Sequence, residues 1–218
     1  MKVLTHTGGI ASTNCFLVAD EEAKRCVLFD APDHTAGELI REAGRLGWTI
    51  DGLWLTHGHF DHIADHHLLP DVPVLLHEAD ADKLRHPDKQ LEAFAARSGF
   101  RVPLEIPPRE PDGGLVEGQV LMIGSLSCRV IETPGHCSGH VSFYFENDGV
   151  LVGGDLIIGS SVGRTDLPDS DHATLEASVR RIMQLPGETR LLPGHGSPST
   201  LDDERTGNAM VASMVGSN

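Results

Sequence analysis

The run Thr56-His57-Gly58-His59-Phe60-Asp61-His62 places three imidazoles and a carboxylate within seven residues, directly after the apolar stretch Ile50 to Leu55. Both group types are ligands for divalent metals. Extended residues two apart point the same way, so His57 and His59 can face one ion from the end of a strand. If the chain then turns into a helix, Asp61 and His62 project from its first turn toward a second point nearby. One segment can thus serve two adjacent metal sites. A single H-x-H would read as a polar loop; four ligand groups at this spacing do not.

Three further segments offer the missing ligands. Thr133-Pro134-Gly135-His136 follows the strand-like run Ser127 to Thr133, Gly153-Gly154-Asp155 follows Gly149 to Val152, and Leu192-Pro193-Gly194-His195-Gly196 follows Thr189 to Leu192. Each sets one ligand just past an apolar run, among small residues that permit tight turns and close backbone approach.

THGHFDH, TPGHCSGH, GGD and LPGHG, in that order and at these separations, resemble the metallo-β-lactamase superfamily. GSSVGRTDLP (Gly159 to Pro168) and GHGSPSTLDDER (Gly194 to Arg205) look most like its short glyoxalase-II-type (hydroxyacylglutathione hydrolase-like) members. The resemblance implies a four-layer αββα sandwich with one metal held by His57, His59 and His136 and a second by Asp61, His62 and His195. Asp155 would bridge the two. Mixed imidazole and carboxylate ligation suits Zn²⁺, and Fe or Mn also accept it. The loop carrying Arg164 and Asp166 reads either as a surface loop with an internal ion pair or as a substrate-edge loop that steadies Asp155. Cys137 stands where relatives commonly have Thr, and reads as a small packed residue or as an oxidisable or metal-contacting thiol.

The chemistry implied is hydrolysis. A water shared by two divalent ions loses a proton near neutral pH, giving a bridging hydroxide, and the substrate carbonyl is polarised by one ion. Asp61 would orient that nucleophile. A thiolate leaves with little acid assistance, so a small thioester such as an S-acylglutathione is the expected substrate. Only residues 196–218 follow His195, too few for the helical domain that holds glutathione in full-length glyoxalase II, which leaves glutathione recognition open. The alternative is a persulfide dioxygenase using one iron on the equivalents of His57, His136 and Asp155. A metal-binding regulatory protein without turnover is a third reading, disfavoured by the intact ligand set.

Strands must deliver these residues to one edge. Val3 to His6, Thr13 to Ala19 and Arg25 to Asp30 read as strands, with Cys15, Leu17 and Ala19 alternating against polar or exposed positions. Asp33 reads as the N-cap of a helix running through Leu46 and stopped by Gly47. Ile50 to Thr56 reads as a buried strand, Asp61 to Leu69 as a helix, Val72 to Leu76 as a strand, and Pro87 to Ser98 as a helix ended by Gly99. Strands follow at Val120 to Ile123, Ser127 to Thr133, Val141 to Glu146 and Val150 to Gly153, then a helix from Asp171 to Leu185 and a strand at Thr189 to Leu192. The Pro-rich stretch Pro103 to Gly118 reads as a surface loop near the site. His140 reads as packing, His66 and His67 as exposed or packed, and His6, His34, His77, His86 and His172 as surface or capping residues.

At 218 residues the chain is the size of a single domain, 1–218, of this kind. The formal charge of −15 argues against a nucleic-acid partner, which would need clustered Lys and Arg. A centre of two divalent ions has the opposite sign and would still draw a small anionic substrate. The first residues carry no signal-peptide pattern, no apolar run reaches membrane-spanning length, and four scattered cysteines make no disulfide framework. A cytoplasmic setting with no membrane partner is therefore expected, with the oligomeric state open.

Overall fold

Strand β2 (Thr13–Asp20) explains the layering, because all of its residues are buried. Cys15, Leu17 and Ala19 face a core shared with helices, while Phe16 and Val18 face a second core made with another sheet. The expectation of polar or exposed positions between Cys15, Leu17 and Ala19 is thus corrected. A strand covered on both faces has no solvent side to mark with polar residues.

The computed structural model describes residues 1–216. The first sheet has the order β1 (Lys2–Gly8), β2, β3 (Arg25–Phe29), β4 (Thr49–Trp54), β5 (Val74–Leu76), β6 (Gly113–Gly114), parallel from β3 onward. The second runs β14 (Ser199–Thr200), β13 (Arg190–Pro193), β10 (Val150–Gly154), β9 (Val141–Phe145), β8 (Leu126–Glu132), β7 (Val120–Ile123). A small hairpin, β11 (Ile157–Ile158) with β12 (Ser161–Val162), follows β10. Between the sheets Phe29 packs edge-on against Trp54 and Phe143, with centroids 5.4 and 4.9 Å away; such ring pairs add about 1 kcal/mol each beyond area burial. Helix α1 (Ala36–Leu46) covers the first sheet through Leu39 and Ala43. On the other side α5 (His172–Ile182), α6 (Leu201–Gly207) and α7 (Ala209–Val215) cover the second sheet through Leu175, Val179, Ile182, Leu201 and Val211. The outcome is the four-layer αββα sandwich.

Three local expectations change. Asp33 does not cap α1; Asp65 does, its Oδ2 accepting from the N–H groups of Thr35 at 2.9 Å and Ala36 at 3.1 Å. The helix expected from Asp61 to Leu69 breaks into α2 (Phe60–Ile63) and a 3₁₀ turn at His66–Leu68. The cause is again Asp65, whose N–H bonds the Ala31 carbonyl at 2.7 Å instead of continuing a helix. Residues 103–118 do not line the site; they bury Ile106 and Leu115, and Gly113–Gly114 extends the first sheet beside β5.

Asp65 therefore joins the end of the histidine segment to the start of α1. Asp65→Ala should destabilise the fold by about 1–3 kcal/mol, the cost of stripping a buried cap. Urea unfolding checks this, and an unchanged midpoint would contradict it.

Candidate metal centre

Ligand-bearing loops leave the sheets at one common edge, beyond the carboxyl ends of β3, β4, β8, β10 and β13, where open parallel sheets place their sites. Backbone bonds tie the two sheets there: Val141 N–H to the Thr56 carbonyl at 2.8 Å, and Asn14 N–H to the Gly194 carbonyl at 2.7 Å. Gly194 has to be glycine, since a Cβ would lie 2.1 Å from Asp155 Oδ1. Gly154 turns at φ 53°, and a Cβ there would meet His140 Nε2 at 2.6 Å.

The structure brings all seven sequence-predicted ligands together. Ligand atoms of His57, His59 and His136 lie within 4.8 Å of one another, as do those of Asp61, His62 and His195. Asp155 stands between the groups: Oδ1 is 3.4 Å from His62 Nε2, and Oδ2 is 3.5 Å from His136 Nε2 and 3.2 Å from His195 Nε2. His57 Nε2, His62 Nε2 and Asp155 Oδ1 are buried and have no hydrogen-bond partner.

The outer nitrogens explain why. His62 Nδ1 sits 2.9 Å from Asp30 Oδ2, His136 Nδ1 3.0 Å from the Arg164 carbonyl, and His195 Nδ1 3.2 Å from the Ala11 carbonyl. These partners only accept, so each Nδ1 carries the proton. The Thr56 hydroxyl donates to Asp30 Oδ2 at 2.8 Å and so accepts from His57 Nδ1 at 3.0 Å, which fixes the same tautomer. Four Nε2 lone pairs are thereby aimed inward, against two carboxylates. His59 Nδ1 completes the convergence, 2.9 Å from His136 Nε2. Inward lone pairs and carboxylates repel one another unless a cation lies among them, and the donor set fits divalent metals.

Electrostatics carries the same message. Burial, then the neighbouring imidazoles, hold His57 and His59 well below the usual histidine range. Burial also opposes charge on His62, but Asp155, Asp61 and Asp30 outweigh it and raise that group well above normal. For Asp155 burial pushes upward, and His62 and His195 more than offset it, leaving the carboxyl well below its ordinary range. The half of the cluster around Asp61, His62, Asp155 and His195 thus draws positive charge, which protons supply when no metal is bound, while His57 and His59 stay neutral.

Several residues that position this centre escaped the sequence reading. Asp30, at φ 60°, accepts from His62, from Thr56 Oγ1 and from the Thr56 N–H at 2.8 Å. Its signal was present: a carboxylate closing an apolar strand, as Asp155 does. Thr13 Oγ1 donates to Asp61 Oδ2 at 3.0 Å. His140 is buried as expected, yet it also does positional work, because its Nε2 accepts the Asp155 N–H at 2.9 Å. Burial lowers His140 to about 3. The ring is therefore neutral, and its Nδ1 proton goes to Thr133 Oγ1 at 2.8 Å. His66 and His67 stay outside, bonding the carbonyls of Pro107 and Ala64.

Cys137 is packed, and its thiol donates to Asp80 Oδ2 at 3.2 Å. Asp80, fully buried, also accepts from Gly58 N–H at 2.7 Å, Gly139 N–H at 2.9 Å and Lys83 Nζ at 2.7 Å. Lys83 fills the space between Asp80 and Asp169, so this acidic cluster already holds its cation. Asp80 thus clamps the loop of His57 and His59 to the loop of His136. Arg164 and Asp166 pair through two 2.6 Å bonds at the surface, and it is the Arg164 backbone carbonyl that orients His136. Neighbouring Gly163 lies against the Asp155 backbone rather than its carboxylate, and a Cβ there would come within 2.0 Å of the Asp155 carbonyl oxygen.

Asp80→Asn should destabilise the protein by roughly 2–4 kcal/mol and weaken metal affinity about 10–100-fold, because one loop's N–H then faces an amide NH2 instead of an oxygen and Lys83 loses a buried counter-charge. Cys137→Thr keeps a donor toward Asp80 and should retain metal affinity. Metal titration of the folded variants checks both; wild-type affinity in Asp80→Asn would contradict the clamp.

The metallo-beta-lactamase superfamily model matches residues 8–195. The probable metallo-hydrolase YqgX of Bacillus subtilis (strain 168) is 31% identical, with 94% of each chain covered. A hydroxyacylglutathione hydrolase of Methylobacterium sp. (strain 4-46) is 31% identical over 82% of this chain and 60% of its own length. Among solved structures, the BLEG-1 B3 metallo-β-lactamase superposes with a TM-score of 0.85 at 32% identity, covering 95% of this chain and 98% of its own. TTHA1623, in a di-iron-bound form, gives 0.78 at 35% identity, with 95% and 99% covered. Among the described residues no helix is long and apolar enough to cross a membrane. Fold, ligand order and relatives agree: the chain belongs to the metallo-β-lactamase superfamily, as a metal-dependent hydrolase.

Proposed function

We propose that this protein hydrolyses small thioesters of the S-acylglutathione kind at a two-cation centre, as glyoxalase-II-type enzymes do. His57, His59 and His136 would hold one ion, Asp61, His62 and His195 the other, and Asp155 would span them. The three buried, unpartnered atoms of His57, His62 and Asp155 support this set. Zn²⁺ suits the ligands, and the di-iron form of TTHA1623 makes iron the main competitor. When bound, the ions supply a nucleophilic water at neutral pH and polarise a carbonyl.

The chain's own residues do the rest. Asp61, held by Thr13, is the carboxylate positioned to accept a hydrogen bond from the attacking water. Asp155 is held by its backbone bond to His140, so its carboxylate stays fixed between the two groups. A cavity of about 630 Å³ opens in front of them, with Phe60, Phe94, Ile158 and Leu167 among its apolar walls.

One observation carries the choice of thioester. No acid of useful strength stands free in this cavity among the described residues: the lining histidines, Asp61 and Asp155 belong to the cluster, Lys83 is held by Asp80 and Asp169, and the guanidinium groups of Arg97 and Arg164 do not give up their protons. A thiolate departs without a proton, whereas an alkoxide or amine leaving group needs one. The persulfide dioxygenase reading gives Asp61, His62 and His195 no role. A net charge of −15 supports a small-molecule partner over nucleic acid.

The test is turnover by zinc-loaded protein of S-lactoylglutathione, the oxygen ester of the same acyl group and a chromogenic β-lactam. The thioester should be preferred by roughly a hundredfold or more, the size of the missing general-acid contribution. Equal rates for ester and thioester would contradict the reading, as would oxygen uptake with glutathione persulfide by iron-loaded protein that hydrolyses no thioester with either metal.

A further inference from the structure

Helix α4 (Pro87–Ser98) turns Gln90, Ala93, Phe94 and Arg97 toward the cavity, a spacing that places all four on one helical face. This face is not spent on the core, since Pro87 is the only residue of α4 that is buried. It is nonetheless fixed. Gln90 Nε2 donates to the carbonyls of Gly58 and Lys83, both at 2.9 Å, which pins α4 to the loop between His57 and His59. Phe94 rests edge-on against Phe60 with centroids 5.3 Å apart. Across the cavity stand Ile158, Leu167 and Ile10, the last 51% exposed.

Three cationic side chains line the same cavity, and two are neutralised. Lys83 lies between Asp80 and Asp169, and Arg164 takes both oxygens of Asp166. Arg97 donates only to the Asp166 backbone carbonyl, at 3.3 Å, and makes no ion pair among the described residues. It acts on the Asp166 carboxylate only at longer range; in a chain with a formal charge of −15, a guanidinium in a cavity wall with no carboxylate bonded to it is a ready anchor for an anion, with a planar fork matched to carboxylate or phosphate.

We infer that this face of α4 is a substrate subsite, with Phe94 against an apolar portion of the substrate and Arg97 on an anionic terminus. The ligand class is an acyl thioester whose thiol arm ends in a carboxylate or phosphate. The cavity of about 630 Å³ lies within the range of small-molecule pockets, roughly 300–1,000 Å³, and has room for an arm of tripeptide size. The thioester chemistry rests on the hydrolase reading above; the anion subsite does not.

Two measurements on zinc-loaded protein test this separately from the hydrolase reading. The first compares kcat/KM for S-lactoylglutathione with that for the neutral S-lactoyl-N-acetylcysteamine, in wild type, Arg97→Gln, Arg97→Lys and Phe94→Ala. Arg97→Gln should lower the anionic-to-neutral ratio roughly tenfold through KM, the effect of one charge-assisted contact, and Arg97→Lys should restore part of it. Phe94→Ala should raise KM for both substrates and leave the ratio near the wild-type value. The wild-type ratio should also fall as salt rises.

The second measurement is calorimetric titration with S-butylglutathione and S-butyl-coenzyme A, thioethers that cannot be hydrolysed. Arg97-dependent binding without thioester turnover would uphold the subsite and defeat the hydrolase reading. Turnover with an unchanged ratio in Arg97→Gln, or no saturable binding of either thioether, would overturn the subsite. Tighter Arg97-dependent binding of the coenzyme A derivative would assign the anion as phosphate, and tighter binding of the glutathione derivative as carboxylate.

Discussion

Everything at the sheet edge depends on where four imidazole protons point. Asp30, Thr56, the Arg164 carbonyl and the Ala11 carbonyl take the Nδ1 protons of His62, His57, His136 and His195. The Nε2 lone pairs are left facing each other and Asp155. Such an arrangement is unfavourable in a dry protein interior unless positive charge is supplied there. The outward hydrogen bonds therefore prepare a pocket for cations and set the tautomers before any ion arrives.

Holding that arrangement constrains distant parts of the chain. Asp30 ends β3, Asp155 follows β10 and His195 follows β13, so the two sheets must stay in register for the groups to meet. The aromatic contacts of Phe29 with Trp54 and Phe143, between the sheets, help fix that register. Asp80 serves the loops as Asp30 serves the imidazoles, with one buried carboxylate collecting donors from two segments. His140 then fixes the backbone of Asp155, the residue common to both groups. Close packing at Gly163 and Gly194 leaves no room for side chains that would push Asp155 aside.

The seven converging residues were legible in the sequence because metal chemistry demands specific residue types at strand ends, and their order carried the superfamily resemblance. The αββα layering was legible too, since the apolar runs alternate with helical patterns. What escaped were polar residues whose partners lie far along the chain. Asp65 caps a helix some thirty residues earlier, so Asp33, the nearer carboxylate, looked like the cap. Asp80 sits in the acidic run Glu78 to Asp82 and resembles surface charge. The full burial of β2 was hidden because a strand covered on both faces loses the alternation that marks a strand with one solvent side. Arg164 and Asp166 were singled out for their side chains, whereas the loop reaches the centre through its backbone.

The most direct test of the two-cation centre is anomalous diffraction from crystals of the wild-type protein grown with saturating Zn²⁺, collected above and below the zinc edge. Two peaks are predicted, one among His57, His59 and His136 and one among Asp61, His62 and His195, with Asp155 touching both. A single peak that stays single when zinc is replaced by iron or manganese would contradict the account.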